Sequence, residues 1–295
     1  MTVSTQDAIP RVRDQLGELG DQTWITTGSA ASTVSSVVVA SGTDWDVGSI
    51  GEFESTGGEQ FKVLSVSGNT LTVVRGWAGT SASIQAADTV IIRDPIFSYR
   101  QIEQALIEAL NRLWPYCFIV ENISITPSPS NTIWYNLTDT ILGVLSIIQL
   151  TDDAVADARA YGTPRGNRYN KDFNFERGLP TALVASGTGI TFPKGVFSLT
   201  NTIYIRGLAA ITGSDDIEDS TRLPVANAVV TGALARLCRE PQFRRIINTE
   251  NVSQSAQTGS LTALQMSGAF ESAFQDRLNQ LALSHSEIYG TKVTH

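Results

Sequence analysis

The stretch Ser98–Phe118, SYRQIEQALIEALNRLWPYCF, constrains this chain most, because it reads as one helix with a defined start, one apolar face and a defined stop. Ile102, Leu106, Ala109, Leu110 and Leu113 recur at the three-and-four spacing of a single helical face. Gln101, Glu103, Gln104, Glu108, Asn111 and Arg112 fall mostly on the other. Ser98 is positioned as an N-cap, and Gln101 three residues on completes a capping box. Pro115 marks the end, since proline disfavours α geometry in the residue before it. Trp114, Tyr116 and Phe118 then form an aromatic knot, expected to be wedged into a core or a subunit contact. With no histidine and only two carboxylates, both on the polar face, the stretch does not read as catalytic.

A chain of 295 residues with 42% hydrophobic content can bury one large core or two to three small ones. Its charged fraction of 17% is low, and Ser, Thr, Gly and Ala are abundant, which suits a β-rich protein with an uncharged polar surface. A net charge of -8 argues against a dedicated nucleic-acid binder, whose affinity rests on Lys and Arg neutralising phosphates. Cys117 and Cys238 lie far apart beside helical segments and read as buried, reduced thiols. The opening residues lack the cationic flank and apolar run of a signal peptide, so a cytoplasmic site of synthesis is expected. No run approaches the length of a membrane span, so no membrane partner is expected.

In chain order, Thr5 to Leu19 predicts a short amphipathic helix with Ile9, Val12, Leu16 and Leu19 on one side, capped by Thr5 or Asp7 and closed by Gly20. From Trp24 to Arg93, β-branched runs predict four to six short strands in a small barrel or sandwich, with a hairpin turn at Ser67-Gly68-Asn69-Thr70. Within it, Arg75-Gly76-Trp77-Ala78-Gly79-Thr80 reads as a sharp turn beside an indole. Its GxxGT lacks the lysine and following helix of a phosphate loop. Because Asp94-Pro95 delivers the chain into the second helix, the β block reads as an insertion between helices of one α-rich unit.

Residues 119–205 again read as strands, interrupted by the polar excursion Asp152–Gly178, which is either an interface element or a solvated loop. The acidic run Ser214–Ser220 does not match the spacing of a calcium loop, and acidic groups suit the helix start that follows it. That helix runs from Val225 to about Arg239, with Ala226, Val230, Ala233, Leu234 and Leu237 as its apolar face. Arg239, Arg244 and Arg245 form a small basic cluster that is either partner-facing, toward an acidic partner or passing DNA, or simply solvated. Residues 249–262 read as a polar linker. A last helix, Ala263 to Tyr289, carries Phe270, Phe274, Leu278, Leu281 and Ile288 along one stripe and reads as an arm that docks on its own core or on a neighbour.

The two histidines, His285 and His295, have no partners at the spacing of a metal site or a triad. The pairs Glu52/Glu54 and Asp44/Asp46 alternate along strands, a pattern commonplace on solvated sheet faces. The chain therefore reads as an assembly protein, with no enzyme activity, cofactor or metal expected.

The order of elements resembles that of head-to-tail connector (adaptor) proteins of tailed bacteriophages. The resemblance is carried most specifically by Val73-Val74-Arg75-Gly76-Trp77-Ala78-Gly79-Thr80 and Ala109-Leu110-Asn111-Arg112-Leu113-Trp114-Pro115-Tyr116. It is general only in residues 150 to 220 and the C-terminal arm. It implies an α+β subunit with a helical-bundle core of about four helices, an inserted β-barrel or sandwich module and a second β-rich region. The expected parts are 1–23 and 94–118 (core), 24–93 (inserted module), 119–213 (second β region with the loop 152–178), 214–248 (core helix) and 249–295 (linker and arm). It further implies a virion protein that forms a homo-oligomeric, dodecameric ring between the portal protein and the tail or next neck protein. Genomic DNA would pass through the ring without specific binding. Trp114, Tyr116, Phe118, Trp77, Arg75, Phe270, Phe274, Leu278 and Leu281 are the expected core or interface residues. The alternatives are a tail terminator or tail-tube protein, or a carbohydrate-binding β protein using Trp24, Trp45, Trp77 and Trp134.

Overall fold

Ser98 starts α2 (Tyr99–Asn111) as its sequence requires: its Oγ accepts from the Gln101 N–H at 3.3 Å while its own N–H donates to Gln101 Oε1 at 2.9 Å. A computed structural model describes residues 5–16, 22–25, 30–55, 57–126, 134–150, 166–168, 173–192, 202–212, 225–241 and 263–289. Among them are four helices and three antiparallel sheets, an α+β architecture. The chain divides into two units, Met1–Arg112 with Thr212–His295, and Leu113–Ile211.

In the first unit, α1 (Thr5–Leu16), α2, α3 (Val225–Leu237) and α4 (Ala263–Tyr289) pack through α3, which touches each of the other three. The expectation of one apolar face on α3 is corrected: Ala228, Val229, Thr231, Gly232 and Ala235 are buried along with Ala226, Val230, Ala233 and Leu234. Arg236 is its sole ionisable residue, so little in its sequence resists being surrounded. α1 buries Ile9 and Val12 completely, and α2 buries Ile102, Leu106, Ala109 and Leu110. Helices of this length are marginal alone and depend on such packing.

The β block is a six-stranded sheet in the order β1-β6-β3-β4-β5-β2, built from β1 (Gln22–Trp24), β2 (Ser36–Val38), β3 (Ile50–Phe53), β4 (Gln60–Ser67), β5 (Thr70–Trp77) and β6 (Val90–Arg93). It is not closed into a barrel. Its end strands are three residues each, too short for a closing ladder, and one isolated bridge, Ile25 to Val39, joins the residues that follow them. Inside the curl, Phe53, Phe61, Val63, Leu71, Val73 and Ile91 form the core, with Trp45 stacked on Phe61 at 5.8 Å. The Gly68-Asn69 turn joins β4 to β5, with Ser67 paired to Thr70.

The sheet meets the helices at one buried carboxylate. Glu52 accepts from Arg13 Nη2 of α1 at 2.5 Å, from Gln60 Nε2 of β4 at 2.9 Å and from the Tyr99 N–H of α2 at 2.8 Å. Arg13 and Glu52 both have fully buried side chains, and Arg13 Nε lies 3.6 Å from Glu54. The expected solvated face is thus corrected for Glu52 and Glu54, which share a face as alternation requires but turn it to Arg13. Asp44 and Asp46 are exposed and lie outside the strands.

The second unit holds a sheet in the order β10-β9-β13-β7 and another in the order β11-β12-β8. Their strands are β7 (Ile119–Ile125), β8 (Tyr135–Asn136), β9 (Ile141–Leu150), β10 (Gly166–Arg168), β11 (Asn174–Arg177), β12 (Thr188–Thr191) and β13 (Ile203–Ala209). Both sheets feed one core: Leu137 and Ile190 from the smaller, and Ile125, Ile141, Ile147, Ile203 and Ile205 from the larger. Two of these strands, β10 and β11, fall within the Asp152–Gly178 stretch read as a loop. The rest of that stretch lies outside the described residues, apart from Phe173 and Gly178.

Removing the Glu52 charge by Glu52→Gln takes away the nearer of the two carboxylates facing buried Arg13 and leaves Glu54 at 3.6 Å, and breaking such a buried pair costs about 3 kcal/mol. Chemical denaturation of the variant is expected to show that loss. An unchanged midpoint would mean that water reaches Arg13.

Candidate functional site

The C-terminal ends of α2 and α3 bring their arginines to one carboxylate in the body of α4. Arg112, the C-cap of α2, engages Glu271 of α4 through Nη1 and Nη2, the former at 3.2 Å. Arg239, just past α3, reaches the same carboxylate at 3.2 Å. Arg236 pairs with Glu108 of α2. Cations at helix C-termini complement the dipole, so all three arginines are favoured where they stand. The Arg112 contact is the main reason that the Glu271 carboxyl is held below its ordinary range, with Gln275 and Arg239 adding to it.

Beneath this seam α4 fits closely onto α3 and α2. Phe274 is fully buried, with the Arg112 guanidinium 4.5 Å from its ring centre. The ring occupies the space left by Gly232: a Cβ there would stand 3.0 Å from Phe274 Cε2 and 2.9 Å from the Ala109 Cβ. Two turns earlier on α4, buried Ser267 donates to the Ala235 carbonyl at 2.8 Å and accepts from Arg239 Nε at 3.0 Å. Leu278 and Leu281 continue the buried stripe, whereas Phe270 is half-buried. Arg239 is therefore a helix-to-helix tie as well as a surface cation. Arg244 and Arg245 lie outside the described residues.

A second polar cluster organises the turn after β5. Arg75 forms a two-pronged pair with Glu59, at 2.6 and 2.7 Å, and also donates to the carbonyls of Ala31 and Ser83. Glu59 takes further bonds from the backbone N–H groups of Gly76 and Ser83 and from Gln85. Burial alone would raise the Glu59 carboxyl, but Arg75, the Ser83 N–H and Gln85 outweigh it and hold the group below its ordinary 4.5. The sharp turn expected of this motif is present: Gly76 has φ of 65°, and a Cβ would press on the Thr80 carbonyl at 2.9 Å. Trp77 is half-buried with Lys62 Nζ 4.7 Å over its ring.

Trp114, Tyr116 and Phe118 belong to the second unit, not to the unit that holds α2. Phe118 is buried and meets Trp114 edge-on at 6.1 Å, while Trp114 and Tyr116 are half-buried. Burial pushes the Cys117 thiol up to about 12 and that of Cys238 up to about 11, as expected of inert buried thiols. No group of three or more His, Cys, Asp or Glu suited to a metal occurs among the described residues, and no helix among them is long and apolar enough to cross a membrane. The acidic run 214–220, the linker 249–262, the side chains of Trp24, His285 and Ile288, and His295 lie outside the described residues.

Sequence reading missed Arg13, Glu59, Gly232, Ser267 and Glu271, and it placed Glu52 on a solvated sheet face. Arg13 carried a signal, standing four residues after Ile9 on the apolar side of α1. Glu271 carried none, its partner Arg112 being 159 positions away. The chain matches no protein-family model, and no curated protein is significantly similar to it.

Because the folded Glu59 carboxyl lies below its unfolded value, its contribution is present above about pH 4.5 and is lost as pH falls through the folded value. Acid titration of unfolding stability should therefore show a limb below pH 4.5 that Glu59→Gln flattens. An identical limb in wild type and variant would remove Glu59 as its source.

Proposed function

We propose that this chain is a structural subunit of a bacteriophage neck, a head-to-tail connector that forms a ring between portal and tail. The reading rests on the resemblance carried by Val73–Thr80 and Ala109–Tyr116. The observation that best supports it is the engagement of arginines by carboxylates where the helices meet: Arg112 and Arg239 share Glu271 and Arg236 takes Glu108. A channel through which DNA must slide is served by arginines whose charge is largely offset by carboxylates, since every free cation set against a phosphate adds affinity that has to be broken again. In this reading the four helices packed through α3 are the bundle that braces the channel. The curled six-stranded sheet is the barrel-like peripheral module, latched to the bundle through Glu52. The ring is dodecameric, meets the portal on one side and the tail or next neck protein on the other, and carries out no chemistry.

The sugar-binding alternative finds less support. Trp45 is buried against Phe61, and Lys62 occupies one face of the half-buried Trp77. A tail terminator or tail-tube protein remains the nearest competitor, and the partner separates it from a connector.

Light scattering behind a sizing column is expected to give a ring-sized mass for the protein alone or co-elution with portal rings. A species that stays monomeric and ignores portals, yet is retarded on polysaccharide resins, would overturn the connector reading in favour of the sugar-binding one. Co-elution with tail-tube protein and not with portal would move the chain to the tail.

A further inference from the structure

The edges of the first unit's sheet are short and meet each other: β1 and β2 hold three residues each, and the bridge from Ile25 to Val39 joins the residues that follow them. In the second unit, the end strands β10, β11 and β8 hold three, four and two residues. β7 is different. It ends its sheet with seven residues, Ile119-Val120-Glu121-Asn122-Ile123-Ser124-Ile125, each paired to β13 on one side. Among the described residues, no backbone hydrogen bond or bridge is made on its other side. An edge of this length presents a row of unpaired N–H and C=O groups, and it carries none of the devices that keep other strands away: no proline, no lysine and no bulge.

The side chains show what kind of strand fits beside it. Ile119, Ile123 and Ile125 turn to the core that the two sheets share, where Ile203 and Ile205 of the neighbouring β13 are 1% exposed. Ile119 and Ile123 are only half-buried, since the core stops at this edge, and on the opposite face Asn122 and Ser124 are exposed. The edge therefore accepts an extended segment that is apolar on one face and polar without charge on the other, and β7 has that pattern itself. Laid antiparallel on a second β7 with Asn122 at the centre, all seven residues find partners: Ile119 with Ile125, Val120 with Ser124, Glu121 with Ile123, and Asn122 with Asn122. The isoleucines of both copies then extend one core. The two Asn122 amides, each donor and acceptor, face each other. Glu121 stands opposite Ile123, whereas the adjacent register, with Glu121 against Glu121, would oppose like charges directly.

We propose that the free edge of β7 is an interface that receives β7 of a second copy of the chain, joining two four-stranded sheets into one continuous sheet. Main-chain hydrogen bonds along the edge supply the attraction, and the self-complementary side chains select the occupant and the register. Because the same surface serves both partners, the contact has two-fold symmetry and closes at two copies. The inference goes beyond the connector reading and does not rest on it, since a cyclic ring is built from contacts between different surfaces of neighbouring copies.

The test uses the full chain carrying Asn122→Cys. At the two-fold axis this position faces its own copy with Cβ atoms about 5 Å apart, close enough for a disulfide to form under mild oxidation. Ser124→Cys is the control: it lies opposite Val120, so its two copies are separated by four residues, roughly 13 Å along the strands. Both positions are exposed, so neither substitution opens the core. Cys117 and Cys238 are buried with thiol pKa values pushed up to about 12 and about 11, so they do not compete. The expected result on non-reducing denaturing gels is a covalent dimer and nothing larger for Asn122→Cys, and a monomer for Ser124→Cys. Monomer from both variants overturns the proposal, and so does a dimer from Ser124→Cys as strong as that from Asn122→Cys. The gel reads the link whatever larger assembly exists, and light scattering on the same samples keeps the two ideas apart. A ring-sized mass without the Asn122→Cys link overturns the pairing and leaves the connector reading intact. A linked dimer that neither reaches ring size nor co-elutes with portal rings upholds the pairing and overturns the connector.

Discussion

The carboxylate of Glu52 is the point on which the first unit depends, because it is where three separately formed elements agree. It takes donors from α1, β4 and the first residue of α2, and none of the three is near it in sequence except Gln60. Burial pushes the Glu52 carboxyl above its ordinary range, against the pull of Arg13, Gln60 and the Tyr99 N–H. A buried ion pair of this kind is a weak source of net stability and a strict condition on geometry. Its effect is on register: a slip of one residue in β3 would turn Glu52 to the other face and strand Arg13 inside the protein. The latch thus ties the sheet to the helices in one orientation, and α1, which is too short to persist alone, has its place fixed by it.

The same logic of small, specific contacts recurs where α4 meets its neighbours. α3 is so apolar that it can be surrounded, but an apolar surface by itself does not say where along it a partner helix should sit. Gly232 and the ring of Phe274 settle that position sterically, and Ser267 supplies a hydrogen bond to the Ala235 carbonyl. Glu271 then closes the contact by accepting from both Arg112 and Arg239. These side chains give a helix–helix interface with a single register.

Function, on this view, comes from arrangement and not from a reactive group. Of the basic cluster in the sequence reading, Arg239 is drawn into contacts with Glu271 and Ser267. The glycine-bearing turn after β5 has the opposite character to a phosphate cradle: a carboxylate, Glu59, collects the Gly76 and Ser83 N–H groups together with the Arg75 guanidinium. An anion site there is already filled from within.

Local signals account for what the sequence alone determined. The capping box at Ser98 and Gln101, the two-residue turn at Gly68-Asn69, and the span of α4 follow from interactions within a few residues, so they are written in the order of the amino acids. The antiparallel, β-rich character of both units follows from short alternating runs of β-branched residues, which is also local. Tertiary structure decided the rest. Whether the six-stranded sheet closes depends on how many ladder positions its end strands keep, and three each are too few. Whether Glu52 and Glu54 face water depends on where Arg13 arrives, 39 residues earlier in the chain than Glu52. The value of Gly232 as a notch depends on Phe274 and Ala109 meeting there. Periodicity reports which face of an element is apolar, but it carries no information about which distant element will cover that face, and the contacts Arg13–Glu52, Arg112–Glu271 and Ser267–Ala235 are of that second kind.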